Sequence, residues 1–279
     1  MYEKELPVLL VDDEPDVLRV SKIAMRNFEV FGMPITIYTA QSKAEAIELI
    51  HSDFSVPAQP GALLHLAFID VVMETDAAGL ELCDYIRNTL KNKFTQIYIR
   101  TGQPGVAPER AVIDRYDING YFTKVETTPD KLYTLVKSGI RQAYFTGLAL
   151  VESNTLQRVI LVSDSRDAMA DVLQRSWSAW DVDFVIGDVM DDRVIGHGRD
   201  AQGLRALADE LDAQPGTPLG DGADKYVVDG KRLLVKIAGD RATSSVSHIV
   251  IGYAPPADFV IPLIYGFAKS FAALWQKAR

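Results

Sequence analysis

The chain has 279 residues, enough for two domains of ordinary size, and its 48% hydrophobic and 24% charged residues make a normal globular balance. A formal net charge of −9 argues against nucleic-acid binding, which needs a basic patch to meet phosphates. No apolar run is long enough to span a bilayer, and the charged start Met1-Tyr2-Glu3-Lys4-Glu5 is unlike a signal peptide. A soluble cytoplasmic protein without contact to membranes is therefore expected. The lone cysteine, Cys83, excludes an intrachain disulfide and a cysteine zinc cluster.

In chain order, residues 7–11 read as a short apolar strand ending at Asp12-Asp13-Glu14. Pro15 then opens a helix, where its missing N–H costs nothing, and Glu14 is expected to cap or flank that helix rather than bind a metal directly. Residues 35–38 form a second strand. Ser42 and Glu45 have the spacing of a capping box for a helix over Ala46, Ile47, Leu49 and Ile50. Residues 51–61 are a polar, proline-bearing loop. Residues 63–69 are almost wholly apolar, as a strand buried on both faces would be. A helix over 79–90 carries Cys83 as a buried thiol. A fourth strand at 96–99, a helix at 108–116 and a fifth strand at 120–123 follow. A long helix starts near Pro129 and runs to about Glu152.

Five strands alternating with five helices predict an α/β fold, a doubly wound five-stranded parallel sheet with helices on both faces. Ligands of such sheets bind outside the carboxyl ends of the strands. Those ends carry Asp12 and Asp13, Asp70, Thr101 and Lys124. Three carboxylates in one crevice must take up protons or bind a cation, and an all-oxygen set suits Mg²⁺. One of them can attack a phosphoryl group, with Thr101 donating a hydrogen bond and Lys124 pairing with the phosphoryl oxygens. Singly, each residue is more easily explained as a cap, a turn or a solvated side chain. Jointly, at the one edge that binds ligands, they point to chemistry.

The segments Val8-Leu-Leu-Val-Asp-Asp-Glu14, Phe68-Ile-Asp-Val-Val-Met73, Ile99-Arg-Thr-Gly102 and Gly120-Tyr-Phe-Thr-Lys124 carry a resemblance. Through them, residues 6–146 resemble the receiver domain of two-component response regulators. The resemblance implies that Asp70 accepts a phosphoryl group from a histidine kinase or phosphotransfer protein. It further implies that Asp12, Asp13, Asp70 and the backbone carbonyl of Val72 hold Mg²⁺, and that Thr101 and Tyr121 form the switch. Two departures stand out. Glu74 replaces a common proline, with Gly79 about one residue late, so the loop after Asp70 is expected to be longer. Val125 replaces the usual cis proline, so a trans bond or a differently shaped loop is expected around Lys124. Val72 cannot orient an attacking water whereas Gln103 could, which suggests a long-lived phosphoryl group. The segment Gly102-Gln-Pro-Gly-Val-Ala-Pro-Glu-Arg110 resembles a subgroup of receivers joined to a poorly characterised sensor-like domain and often to a cyclic-dinucleotide phosphodiesterase.

The expected division is a receiver with an extended last helix at 1–150 and an α+β sensor or output domain at 151–279. In the second part, residues 159–162 could be strand or helix. A helix is expected over 167–180 with Trp177 and Trp180 on one side, and a strand at 184–186. A short helix at 204–211, a Gly- and Pro-rich loop at 214–222, a hairpin over 226–237 and a strand at 248–253 follow. The apolar last helix, from about Asp258, could pack on its own domain or form a homodimer face. Hairpins flanked by helices resemble the GAF or PAS type by pattern alone. His197 and His248 stand without ligand spacing.

The leading expectation is a phosphorylation-dependent response regulator that is no enzyme beyond its own phosphorylation and dephosphorylation. One alternative is an aspartyl-nucleophile phosphatase, but that chemistry needs a second aspartate where Val72 stands. Another is the regulatory part of a cyclic-dinucleotide phosphodiesterase, although no adjacent His-Asp pair occurs in the sequence.

Overall fold

The computed structural model describes residues 6–54, 64–102, 109–177, 182–188, 193–197, 216–220, 224–229, 232–238, 246–253 and 260–278, with positions 203 and 206. It divides the chain into two compact units, Met1–Gly147 and Leu148–Arg279. Among the described residues no helix is long and apolar enough to cross a membrane.

The first unit runs β1 (Leu6–Val11), α1 (Pro15–Met25), β2 (Glu29–Val30), β3 (Met33–Ala40), α2 (Lys43–Asp53), β4 (Leu66–Ile69), α3 (Ala78–Asp84), β5 (Gln96–Thr101), α4 (Glu109–Tyr116), β6 (Gly120–Thr123) and α5 (Pro129–Leu161). Its sheet has the order β2-β3-β1-β4-β5-β6. All neighbours are parallel except the β2–β3 pair. The five parallel strands thus take the order second-first-third-fourth-fifth of a flavodoxin-like doubly wound sheet. The sixth strand is an addition to the expected five. It is two residues long and turns back through Phe31 and Gly32, both at positive φ (58° and 71°), a length at which no sequence pattern is visible.

Strand residues alternate between two cores, as a period of two requires. Leu9, Val11, Ala67, Ile69, Ile97 and Ile99 face the layer of α2, α3 and α4. Leu6, Val8, Leu10, Leu66, Phe68 and Tyr98 face α1 and α5. Burial on both faces explains the near-continuous apolar runs of β1 and β4. The capping box is formed with a shift: Ser42 Oγ accepts from the Glu45 N–H at 3.1 Å, and the Glu45 carboxylate accepts from the Gln41 N–H at 2.7 Å, one residue before the cap. Cys83 is fully buried, and burial pushes its thiol pKa up to about 12.

The helix expected over 79–90 is not a single α-helix. It passes into a π turn, Tyr85–Thr89. That turn holds the buried Arg87, whose guanidinium donates to the carbonyls of Asp117 (2.9 Å), Asn92 (2.9 Å) and Thr95 (2.7 Å). These bonds tie the loops before β5 and β6 to the turn and satisfy the buried carbonyl of Thr95.

In the second unit α5 continues to Leu161, so residues 159–161 are helix rather than strand. The remaining elements are α6 (Arg166–Trp177), β7 (Val182–Asp188), β8 (Arg193–His197), β9 (Thr217–Leu219), β10 (Asp224–Asp229), β11 (Arg232–Ala238), β12 (Val246–Tyr253) and α7 (Ile261–Trp275). The six strands form an antiparallel sheet, β8-β7-β12-β11-β10-β9. The predicted hairpin is present, with Asp229 opposite Arg232. The loop expected at 214–222 contains a strand instead: Thr217–Leu219 pairs with β10, because an edge strand needs only three residues to add hydrogen bonds. The apolar stripe of α7, including Ile264, Phe271 and Trp275, is buried as the helix packs on β11 and β12. Asp224, buried at the start of β10, accepts from the Ala238 N–H (2.9 Å), Tyr265 Oη (3.0 Å) and Lys269 Nζ (2.8 Å), tying sheet to helix. Trp180, most of the helix expected at 204–211, Gln103 and the His197 side chain lie outside the described residues.

Glu152 breaks the apolar pattern of its helix face. Leu148, Glu152, Thr155 and Val159 form one buried stripe on α5. Burial alone pushes the Glu152 pKa up to about 8. The folded form therefore prefers the protonated carboxyl. Its stability cost is absent below the ordinary carboxyl pKa, grows as pH rises toward 8, and is complete above it. Glu152→Gln should match wild type near pH 4.5 and exceed it by on the order of 2 kcal/mol at pH 8 and above. Thermal melts across this range would check it, and a pH-independent difference would refute the assignment.

Candidate functional site

Three backbone hydrogen bonds beyond the regular ladders fix the carboxyl edge of the first sheet. Asp12 N–H donates to Ala40 O (3.1 Å), Asp70 N–H to Val11 O (2.9 Å) and Lys124 N–H to Thr101 O (2.8 Å). Each extends a parallel pairing by one step, so Asp12, Asp70, Thr101 and Lys124 are set by the sheet rather than by free loops. Asp12 and Asp70 stand at the ends of β1 and β4, the adjacent strands between which the chain order reverses.

Lys124 Nζ lies at the centre. It sits 2.8 Å from Asp70 Oδ2, 2.9 Å from Asp12 Oδ2 and 2.9 Å from Glu14 Oε1. The ammonium side chain is 15% exposed, against 7% and 6% for the side chains of Asp12 and Asp70. Asp70 Oδ1 also accepts from the Val71 N–H at 2.7 Å, and Asp12 Oδ1 from the Glu14 N–H at 3.1 Å. Burial raises the pKa of both aspartates, opposed mainly by their hydrogen bonds to Lys124. Burial acts to lower the Lys124 pKa, but its bonds to Asp70, Glu14 and Asp12 outweigh it and leave the ammonium more firmly protonated than a free lysine. The lysine and the carboxylates thus each oppose the effect of burial on the other.

The other predicted residues surround this centre. Asp13 is exposed, and its charge contributes to raising the Asp70 pKa. Val72 is half-buried in the loop between β4 and α3. Thr101 is fully buried at the end of β5. Tyr121 is turned inward, its hydroxyl buried without a hydrogen-bond partner among the described residues. Burial, then Glu109 and Asp70, raise its pKa. Glu14 flanks α1 at the cap position, but its side chain makes no capping bond and binds Lys124 instead. A helix-start reading could not foresee this, because the lysine comes from a residue 110 positions away.

The loop after Lys124 is a compact turn. The Glu126 carboxylate accepts from both the N–H and the hydroxyl of Thr123, each at 2.8 Å, and Val125 points to solvent at 91% exposure. The loop after Asp70 is closed by Gly79 of α3, whose N–H donates to Val71 O at 3.0 Å.

Oxygens of Asp12, Glu14 and Asp70 can come within 4.8 Å of one another, a grouping able to hold a metal ion. Carboxylate oxygens at this spacing, already sharing one cation in Lys124, fit a hard ion such as Mg²⁺. The expected set named Asp13; the grouping contains Glu14 in its place.

The sequence matches no protein-family profile. It is 37% identical over 149 residues to the 3'3'-cGAMP-specific phosphodiesterase 2 of Vibrio cholerae, which covers 53% of this chain and 27% of the relative. The chain thus spans about a quarter of the length of that curated relative. That relative is an enzyme, and the expectation of a protein with no enzymatic role is corrected on this ground. Solved structures that it resembles include a response regulator receiver domain protein from Clostridium thermocellum (17% identity, 48% of this chain and 94% of that one, TM-score 0.39). Another is the signal receiver domain of an HD domain-containing protein from Pseudomonas fluorescens (17% identity, 52% of this chain and 93% of that one, TM-score 0.39). By its strand order and its carboxyl-edge topology, the first unit has the fold of the receiver domains of two-component response regulators.

Proposed function

We propose that this chain receives a phosphoryl signal on Asp70 and that the signal regulates cyclic-dinucleotide phosphodiester hydrolysis. The observation that carries the first part is the Lys124 ammonium shared by Asp12, Glu14 and Asp70 at the carboxyl edge of the sheet. The 37% identity to a 3'3'-cGAMP-specific phosphodiesterase supports the second.

The donor is a phosphohistidine of a histidine kinase or phosphotransfer protein, and the setting is cytoplasmic. An Asp70 carboxylate oxygen attacks phosphorus, the phosphorus–nitrogen bond breaks, and the donor imidazole keeps the electron pair. Lys124 then pairs with a phosphoryl oxygen, and Thr101 donates a hydrogen bond to another. Asp12, Asp13, Asp70 and the Val72 carbonyl would hold Mg²⁺, with Glu14 close by. When bound, Mg²⁺ offsets charge on the phosphoryl oxygens. The Tyr121 hydroxyl, buried and unpaired among the described residues, has a bond to gain when the neighbouring charge moves.

Incubation with a small phosphodonor and Mg²⁺ should add one phosphoryl group to the wild-type chain and none to Asp70→Asn, read by intact mass. Equal labelling of the two proteins, or none in either, would exclude Asp70 as the acceptor.

A further inference from the structure

Arg100 is a cation buried in an apolar layer. It lies one residue before Thr101 on β5 and shares the sheet face of Tyr98, where α1 and α5 pack. Leu10, Leu18 and Phe68 line the same small cavity as Arg100. A guanidinium placed there loses its water, and burial lowers its pKa while Asp12 and Asp70 act to raise it. Arginine stays charged under such conditions and presents its donors in a fixed fork. The fork is used. Nε donates to Thr127 Oγ1 at 3.0 Å, and one terminal nitrogen donates to Ser21 Oγ of α1 at 2.9 Å. Both hydroxyls are buried.

The Thr127 hydroxyl passes the connection on, donating to the backbone carbonyl of Lys124 at 2.9 Å. A chain of hydrogen bonds therefore runs from α1 through Arg100 and Thr127 to the main chain of the lysine that holds Asp12 and Asp70. On the far side, Arg100, Ser21, Asp12 and Asp70 line a small cavity with room for about one water molecule. The rest of this lining is apolar apart from the two aspartates and Ser21. A leucine or methionine would fill the same space without needing two buried hydroxyl partners.

We infer that Arg100 is a positioning residue for Lys124, fixing its main chain through Thr127. The inference rests on the reading of Asp70, Asp12 and Lys124 as the phosphoryl-accepting pocket. The turn after Lys124 carries Val125 where a proline would stiffen the chain. Arg100 and Thr127 supply that stiffness from the buried side, and Glu126 from the exposed side. The guanidinium also adds fixed positive charge behind Asp12 and Asp70.

The test reads the lysine directly. In nitrogen-15 spectra of lysine side chains, an ammonium held by three carboxylates exchanges slowly with water and gives a resolved signal. The Lys124 signal is assigned by its loss in Lys124→Met. Thr127→Val and Arg100→Met should each abolish or shift this signal and slow phosphodonor labelling at least tenfold. Thr127→Ser, which keeps the hydroxyl, should restore both. Thr127→Val keeps the side-chain shape and serves if Arg100→Met does not fold. An unchanged Lys124 signal in either folded variant overturns the inference, whatever the labelling rates. If even wild type takes up no phosphoryl group, the pocket reading fails and the signal alone decides the role of Arg100.

Discussion

Lys124→Met is expected to lower stability by about 3 kcal/mol at pH 7 and to reduce phosphoryl uptake at Asp70 at least about a hundredfold. The stability loss follows from what remains. Asp12 and Asp70 are nearly buried, and their bonds to Lys124 are the largest influence holding their pKa values down against burial. Without the ammonium, both folded-state pKa values rise further above the ordinary carboxylate value. A raised carboxylate pKa costs stability at pH values above the unfolded pKa, and the cost fades as pH falls toward it. The gap between variant and wild type should therefore be widest at neutral pH and narrow near pH 4. Millimolar Mg²⁺ should narrow it at pH 7, since a second cation then meets the same oxygens. Urea midpoints measured across pH, with and without Mg²⁺, would check this. A gap independent of both would show that the lysine acts only by packing.

Gly79→Ala should destabilise the first unit by about 3 kcal/mol, although the same change in an exposed helix gains about 0.5–1 kcal/mol. A Cβ on Gly79 would lie 1.7 Å from the Asp70 carbonyl oxygen and 2.8 Å from its carbonyl carbon. Both are main-chain atoms at the end of β4, so no side chain can swing aside. Either α3 lifts from the sheet or the end of β4 moves. The second outcome displaces Asp70 from Lys124, so phosphoryl uptake should fall together with stability. Denaturant unfolding and the mass assay on one protein would measure both. A variant as stable as wild type would mean that the start of α3 is not docked on β4.

The five-strand alternation and the residues at the strand ends were legible because burial on both faces leaves long apolar runs that stop abruptly at charged residues. Asp12, Asp70 and Lys124 meet because the parallel order brings those ends together, which periodicity alone can suggest. The partners of Lys124 were harder. Glu14 looked like a helix-start residue, and its pairing depends on a side chain far away in sequence. Gly79 looked late in its loop, and only the structure shows that its backbone rests on the Asp70 carbonyl. Arg100 has no role that its motif alone reveals, yet a buried arginine on the inward face of an apolar strand is itself a signal. In the second unit the hairpin was plain, from a turn signal between apolar strands. Thr217–Leu219 was hidden, because three residues between glycines and prolines read as loop. The role of Asp224 depends on Tyr265 and Lys269, residues of α7 well beyond its own strand.

The π turn at Tyr85–Thr89 makes residue number, as well as residue type, part of the fold. Such a turn holds one residue more than α-helical geometry needs. Removing one residue there would restore regular winding, and each residue of an α-helix turns the chain by about 100°. The Arg87 fork, aimed at the carbonyls of Asn92, Thr95 and Asp117, would lose its alignment with the loops feeding β5 and β6. A deletion scan should therefore find this helix less forgiving of single-residue loss than of conservative substitution, with the damage transmitted to the strands that carry Thr101 and Lys124.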